Sequence, residues 1–163
     1  MLIALLLAAT VQGPADVESL TASADAVVHA RVARLSSAWV PGGGQIFTTV
    51  TLRTLETWKG APAEEVQVLV PGGEVGEIAQ TVQGVAAFGE GEEVVVFLHR
   101  VGPSRFAVER MALGKFAVGA PAGLPRRAMR DRRGLICRGC GPGESDDLSL
   151  DELRARVLGS VRR

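Results

Sequence analysis

The chain has no tyrosine, and aromatic residues fill only 4% of its 163 positions. It has two histidines, His29 and His99, and two cysteines, Cys137 and Cys140. Each shortage narrows the chemistry. Nucleophilic catalysis needs a Ser, Thr or Cys beside a His that an acid orients, so two histidines leave few arrangements to consider. His29 is expected on the wet face of an early strand, and His99 at the end of a buried one beside Arg100. Both read as structural or solvent-exposed. No Gly-x-Ser-x-Gly elbow occurs, and "VPGGEVGEI" (residues 70–78) is not a phosphate loop, because no Lys-Ser or Lys-Thr follows it. Carboxylate pairing of the glycosidase kind would have to be chosen among Glu74, Glu77, Glu90, Glu92 and Glu93, most of which flank turns. No catalytic, cofactor-binding or metal-binding residue is assigned, and the chain is expected not to be an enzyme.

Cysteine is confined to one motif, Cys137-Arg-Gly-Cys140. Such a pair forms a tight disulfide, a redox couple or half of a zinc site. A structural zinc site needs two more ligands, and no His lies nearby. A thioredoxin-like pair follows a strand and opens a helix, whereas this one sits between Arg-rich and Gly-Pro-rich sequence. A local Cys137–Cys140 disulfide is the favoured reading, with free thiols or a shared metal as alternatives.

Long apolar runs are missing as well, apart from the first ten residues, MLIALLLAAT. That run is too short to span a bilayer, which takes about 20 residues, and it has the length of a signal-peptide core. No basic residue precedes it. Residues 1–13 are expected to be an export signal, the alternative being a buried N-terminal helix or strand. Secretion or a periplasmic location follows from the first reading, with no membrane span in the mature chain.

Formal charge cancels to zero, but unevenly. Counting the sequence, residues 1–120 carry 12 acidic and 8 basic side chains, a net −4, and the remainder carries 6 and 10, a net +4. The basic excess gathers in Arg126–Arg138, with six Arg and only Asp131 to oppose them. No aromatic residue accompanies them to stack on bases, so a solvated linker over 121–148 is expected and nucleic acid is not.

What is present is glycine, 20 residues of it, between short apolar runs. A short helix is expected over Pro14–Ala24, opened by Pro14 or Asp16. Ala26–Arg34 alternates with period two, as a strand with one wet face does. Gln45–Trp58 reads as a second strand, long enough to need a bend or bulge. Glu65–Val70 follows, then Glu92–His99, apolar on both faces as a centrally buried strand is. Arg105–Met111 and Lys115–Val118 complete a set of five to seven strands over 14–120, read as a small β-barrel of the OB-like kind. In residues 149–163, Ser149-Leu-Asp-Glu152 forms a capping box. It opens an amphipathic helix with an apolar stripe at Leu150, Leu153, Val157, Leu158 and Val161.

"SADAVVHARV", a Thr/Val-rich strand ending in "ETWKG", then "VQVLV" and "GVAAFGEGEEVVVFL" resemble in order the netrin-type domains, which include the tissue inhibitors of metalloproteinases. The same pattern is similar to that of uncharacterised secreted bacterial proteins. The likeness covers Ala24 to Val118 and implies an OB-like barrel. The inhibitors it implies chelate a protease zinc through an N-terminal Cys-x-Cys, and this sequence has no cysteine before Cys137. No functional residue carries over. The leading expectation is an exported binding or interaction module of unknown ligand, possessing an unidentified envelope or extracellular partner. The alternatives are a protease inhibitor acting by surface occlusion and a Cys-x-x-Cys redox or metal-binding protein.

Overall fold

The computed structural model describes residues 15–131 and 146–163. Asp16 opens helix α1 (Val17–Ser23) by accepting the Ser19 amide at 2.6 Å, which satisfies a donor that the first turn leaves open. Of the two expected openings, Asp16 is the cap. The helix ends on Lys59, whose Nζ donates to the Thr21 and Ala24 carbonyls at 2.6 Å each. A cation at a helix C-terminus satisfies orphan carbonyls and complements the dipole. Gly60 follows at φ +77°, and a Cβ there would lie 2.5 Å from the Asp25 carbonyl oxygen. The Trp-Lys-Gly sequence is therefore a clasp between the helix and the sheet.

Strand β1 (Ala26–Trp39) runs antiparallel to β2 (Ile46–Lys59). The ladder shifts register three times, so that Ala33 in β1 and Leu55 and Trp58 in β2 are passed over by the pairing. These bulges supply the bend expected of so long a strand. β3 (Glu65–Pro71) pairs with β2, and the hairpin of β4 (Gly73–Val75) and β5 (Ile78–Gln80) stands apart from the main sheet. β6 (Glu93–Gly102) returns beside β1, and β7 (Arg105–Val108) beside β6. β7 also meets β3 in a parallel seam of two pairs, Gln67 with Arg105 and Val68 with Phe106. The order β1-β2-β3-β7-β6 thus closes on itself as a five-stranded, barrel-like ring.

Period-two alternation gives the ring its two cores. Val28, Ala30, Val32, Val94, Val96 and Leu98 point inward with Leu52, Val66 and Val68. Val27, Val95 and Phe97 point outward and are buried all the same. Their cover comes from β8 (Lys115–Gly119), β9 (Arg127–Met129) and β10 (Asp147–Ser149), which continue the sheet from β6, and from α1 and helix α2 (Leu150–Val161). Ser149 caps α2 by accepting the Glu152 amide at 3.1 Å. Leu150, Leu153 and Val157 are buried, while Val161 is 45% exposed. Burying a side chain of this size contributes about 1.5–3 kcal/mol.

Two expectations are corrected. Within the expected linker over 121–148 two short strands occur, because Arg127–Met129 pairs with β8 on one side and with Asp147–Ser149 on the other. Strand character there comes from available partners, since three residues around a single buried Ala128 or Leu148 carry no period to read. Arg105–Met111 ends as a strand at Val108, and Met111–Gly114 forms a 3₁₀ turn. The export segment, residues 1–13, and Cys137 and Cys140 lie outside the described residues. Among the described residues no helix is long and apolar enough to cross a membrane.

Candidate functional site

Residues 81–92 belong to no strand and cross one end of the ring. Ala86 is buried in the inner core, with Val85 and Phe88 packed against it, and Gly84 accepts the Ala112 amide at 2.9 Å. The segment Val85–Phe88 so held separates two hollows. One, of about 650 Å³, is lined also by Glu92, Ala112, Lys115 and Met129. The other, of about 380 Å³, is lined also by Leu35, Ser37, Thr48, Val50, Glu74 and Gln80.

Polar groups of both hollows are positioned by hydrogen bonds. Lys115 Nζ donates to Glu92 Oε1 at 2.6 Å and to the Ala87 carbonyl at 2.5 Å, and it stands 4.9 Å from the Phe88 ring centroid. Gln80 accepts the Ile46 amide at 2.7 Å and donates to the Gly44 carbonyl at 2.8 Å, tying the β4–β5 hairpin to the tip of β1–β2. Thr48 Oγ1 donates to the Gly72 carbonyl at 2.8 Å. Its hydrogen is thereby committed, so Ser37 Oγ is the donor in the 2.8 Å contact between the two hydroxyls. Ser37 is left as an acceptor facing the hollow. The arrangement offers an apolar body, a rim of acceptors and a cation already neutralised by Glu92.

His29, Glu93, Glu18 and Glu56 join layers. His29, expected on a wet face, is only 7% exposed, because the outer layer covers that side of β1. Its Nε2 lies 2.5 Å from Glu93 Oε1, and its ring is 5.9 Å from that of Trp58. Glu93 also receives Arg31 at 3.3 Å and Arg126. Burial pushes the Glu93 carboxyl up, but hydrogen bonds from His29 and Arg126 outweigh it and hold the group below its ordinary range. Arg156 grips both oxygens of Glu18 at 2.8 and 2.7 Å and lowers that carboxyl, overriding partial burial. Arg154 Nε donates to Glu56 at 2.8 Å and lowers it likewise. Helix α2 is thus pinned to α1 and to β2.

A pH dependence follows. Carboxyls lowered from 4.5 in the fold stabilise it above that value, and the contribution disappears as pH falls through their folded values. Stability is expected to fall as the pH drops below 4.5, measured by denaturant titration. The triple change Glu18→Gln, Glu56→Gln, Glu93→Gln should flatten the slope; an unchanged slope would remove these carboxylates from the account. Glu18 and Glu56 are each about two-fifths exposed, which screens both pairs.

The histidines are not brought together. His29 stands opposite Val95, whereas His99 lies four residues further along β6, opposite Ala107, with Nδ1 3.2 Å from Glu109 Oε2. Of the carboxylates weighed from sequence, Glu90 accepts the Leu35 amide at 3.1 Å, and Glu92 and Glu93 have the partners given above. Glu74 lies in β4 and Glu77 in the turn after it. Sequence reading missed Phe88, Lys115 and Gln80. Lys115 had one signal to find it by, as one of only two lysines among 18 basic residues. Among the described residues no three His, Asp or Glu side chains converge to hold a metal ion. No protein-family model matches the chain, and its comparison with curated proteins finds no match.

Proposed function

We propose that this chain is an exported, non-enzymatic binding module whose ligand seats at the end of the ring, against Val85–Phe88. The observation that carries the reading is the pair of hollows on either side of that one segment, apolar in body and polar at the rim. Concave sites of this size with a few fixed polar groups are where small ligands and single side chains bind. Supporting it, His29 is held in a hydrogen bond with Glu93, and Glu93, Glu56 and Glu18 are occupied by arginines of other structural layers. Proton transfer to a ligand at the ring end would have to draw on other groups.

The test is a two-dimensional NMR titration of labelled protein with a panel of amphipathic small molecules and short peptides. Shifts should cluster at Val85–Phe88, Thr48 and Lys115, and Phe88→Ala should weaken binding by about tenfold, one lost aromatic contact. Shifts elsewhere would move the site, and turnover of a panel member sensitive to His29→Ala or His99→Ala would replace the reading with an enzymatic one. Export is tested separately, by the intact mass of the protein from its native host. The exported fraction should hold a chain shorter by about a dozen residues; a full-length cytosolic chain would end that part of the proposal.

A further inference from the structure

β1 has two partners over only half its length. Ala26–Arg31 pairs with β6, whereas the pairing with β2 continues to Trp39. The bulge at Ala33 turns β1 away from β6, and the loop from Gly89 to Glu92 makes the last contacts, through Val32. Beyond it one edge of β1 has no hydrogen-bonded strand among the described residues, although Gly73 of β4 packs against the Ser37 side chain.

Hydrogen-bond direction along this edge is readable. The Leu35 amide points outward to Glu90 Oε1, and the Val40 amide points inward to the Gln45 carbonyl at 2.8 Å. Antiparallel pairing alternates, so the backbone groups of Leu35, Ser37 and Trp39 face outward, and those of Ser36 and Ala38 face β2. The amides of Ser37 and Trp39 have no hydrogen-bond partner among the described residues. Native edges are ordinarily guarded by charges, prolines or a covering element. Leu35-Ser-Ser-Ala-Trp39 has no charge and no proline, and Trp39 and Val40 at its end are 41% and 38% exposed.

We propose that the partner for this edge is a second copy of the chain, joined in an antiparallel ladder centred on Ser37. The sequence is symmetric in character about that residue. A two-fold axis there sets Ser37 against Ser37, Ser36 against Ala38 and Leu35 against Trp39, so that the two large apolar side chains meet on the same face. Arg34 falls opposite Val40 of the second copy, and no like charges meet. Such an interface is isologous and closes at two copies. Six backbone hydrogen bonds form once Glu90 yields the Leu35 amide to the second copy: two between the Ser37 residues, and two at each Leu35–Trp39 pair. The contact is small, which sets the affinity in the micromolar range or weaker.

Sedimentation equilibrium of the full chain over a wide concentration range, with amide exchange at its two ends, tests this. Mass should rise from one chain toward two, and the Ser37 and Trp39 amides should become slow to exchange only at high concentration. Trp39→Lys puts a charge on a side chain already partly exposed, so the fold should persist by an unchanged melting temperature while dimerisation weakens about tenfold or more. Ser37→Pro, which removes a central donor, is the second variant. A single-chain mass throughout overturns the proposal. So does a dimer whose Ser37 and Trp39 amides exchange as in the monomer, or one that Trp39→Lys leaves equally tight.

Discussion

Gly114→Ala is expected to lower stability by about 2–4 kcal/mol, above the usual run of substitutions. The reason lies in how the ring and the outer layer share β6. Leu98 stands opposite Val108 and Val96 opposite Lys115, so two steps along β6 face seven along its neighbour, five more than pairing needs. The surplus is folded away between β7 and β8. Arg110 and Met111 take left-handed φ of 49° and 57°, and Met111–Gly114 coils into the 3₁₀ turn. Consecutive non-glycine residues in that region carry strain, which persists only where the surroundings impose it. Gly114 closes the excursion so tightly that a Cβ would lie 2.1 Å from the Glu109 carbonyl oxygen. That obstacle is backbone, so the turn must open and pull on the β3–β7 seam or on the pairing of Val96 with Lys115. Urea unfolding should show a lower midpoint at unchanged slope. A change within about 0.5 kcal/mol, the range of an ordinary surface site, would mean that the excursion yields freely.

Leu153→Ala should cost about 2–5 kcal/mol, as a fully buried leucine does when its cavity cannot collapse. Leu153 has no exposed surface and belongs to the outer core with Trp58, Phe97 and Phe116. Its helix is also tied to the chain before β9, because the Leu150 amide donates to the Arg126 carbonyl at 2.9 Å. Amide exchange should therefore quicken together in α2, β9 and β10, with the ring strands less affected. Val161→Ala, on the same stripe but 45% exposed, should change stability by no more than about 0.5 kcal/mol. Equal losses at both positions would show that α2 contributes propensity and not docking.

Features that depend on near neighbours in the chain were legible from the residues alone. Period two placed Val28, Ala30 and Val32 on one face, and the doubly apolar run Val94–Leu98 marked the strand shared by two cores. Asp16 and Ser149 were readable as caps because a cap bonds an amide three residues away. The length of the second strand signalled a bulge. Tertiary structure alone decided that the ring closes, since its seam is two parallel pairs between β3 and β7, 38 residues apart by number (67 to 105). It alone made strands of Arg127–Met129 and Asp147–Ser149, which lack any period of their own. It also turned the face bearing His29 from wet to dry. Nothing near His29 specifies its cover, because the Arg126 that meets its partner Glu93 comes from almost a hundred residues away. Burial of a strand face is settled by what arrives on it, and arrival depends on the closing of long loops, which no local pattern records.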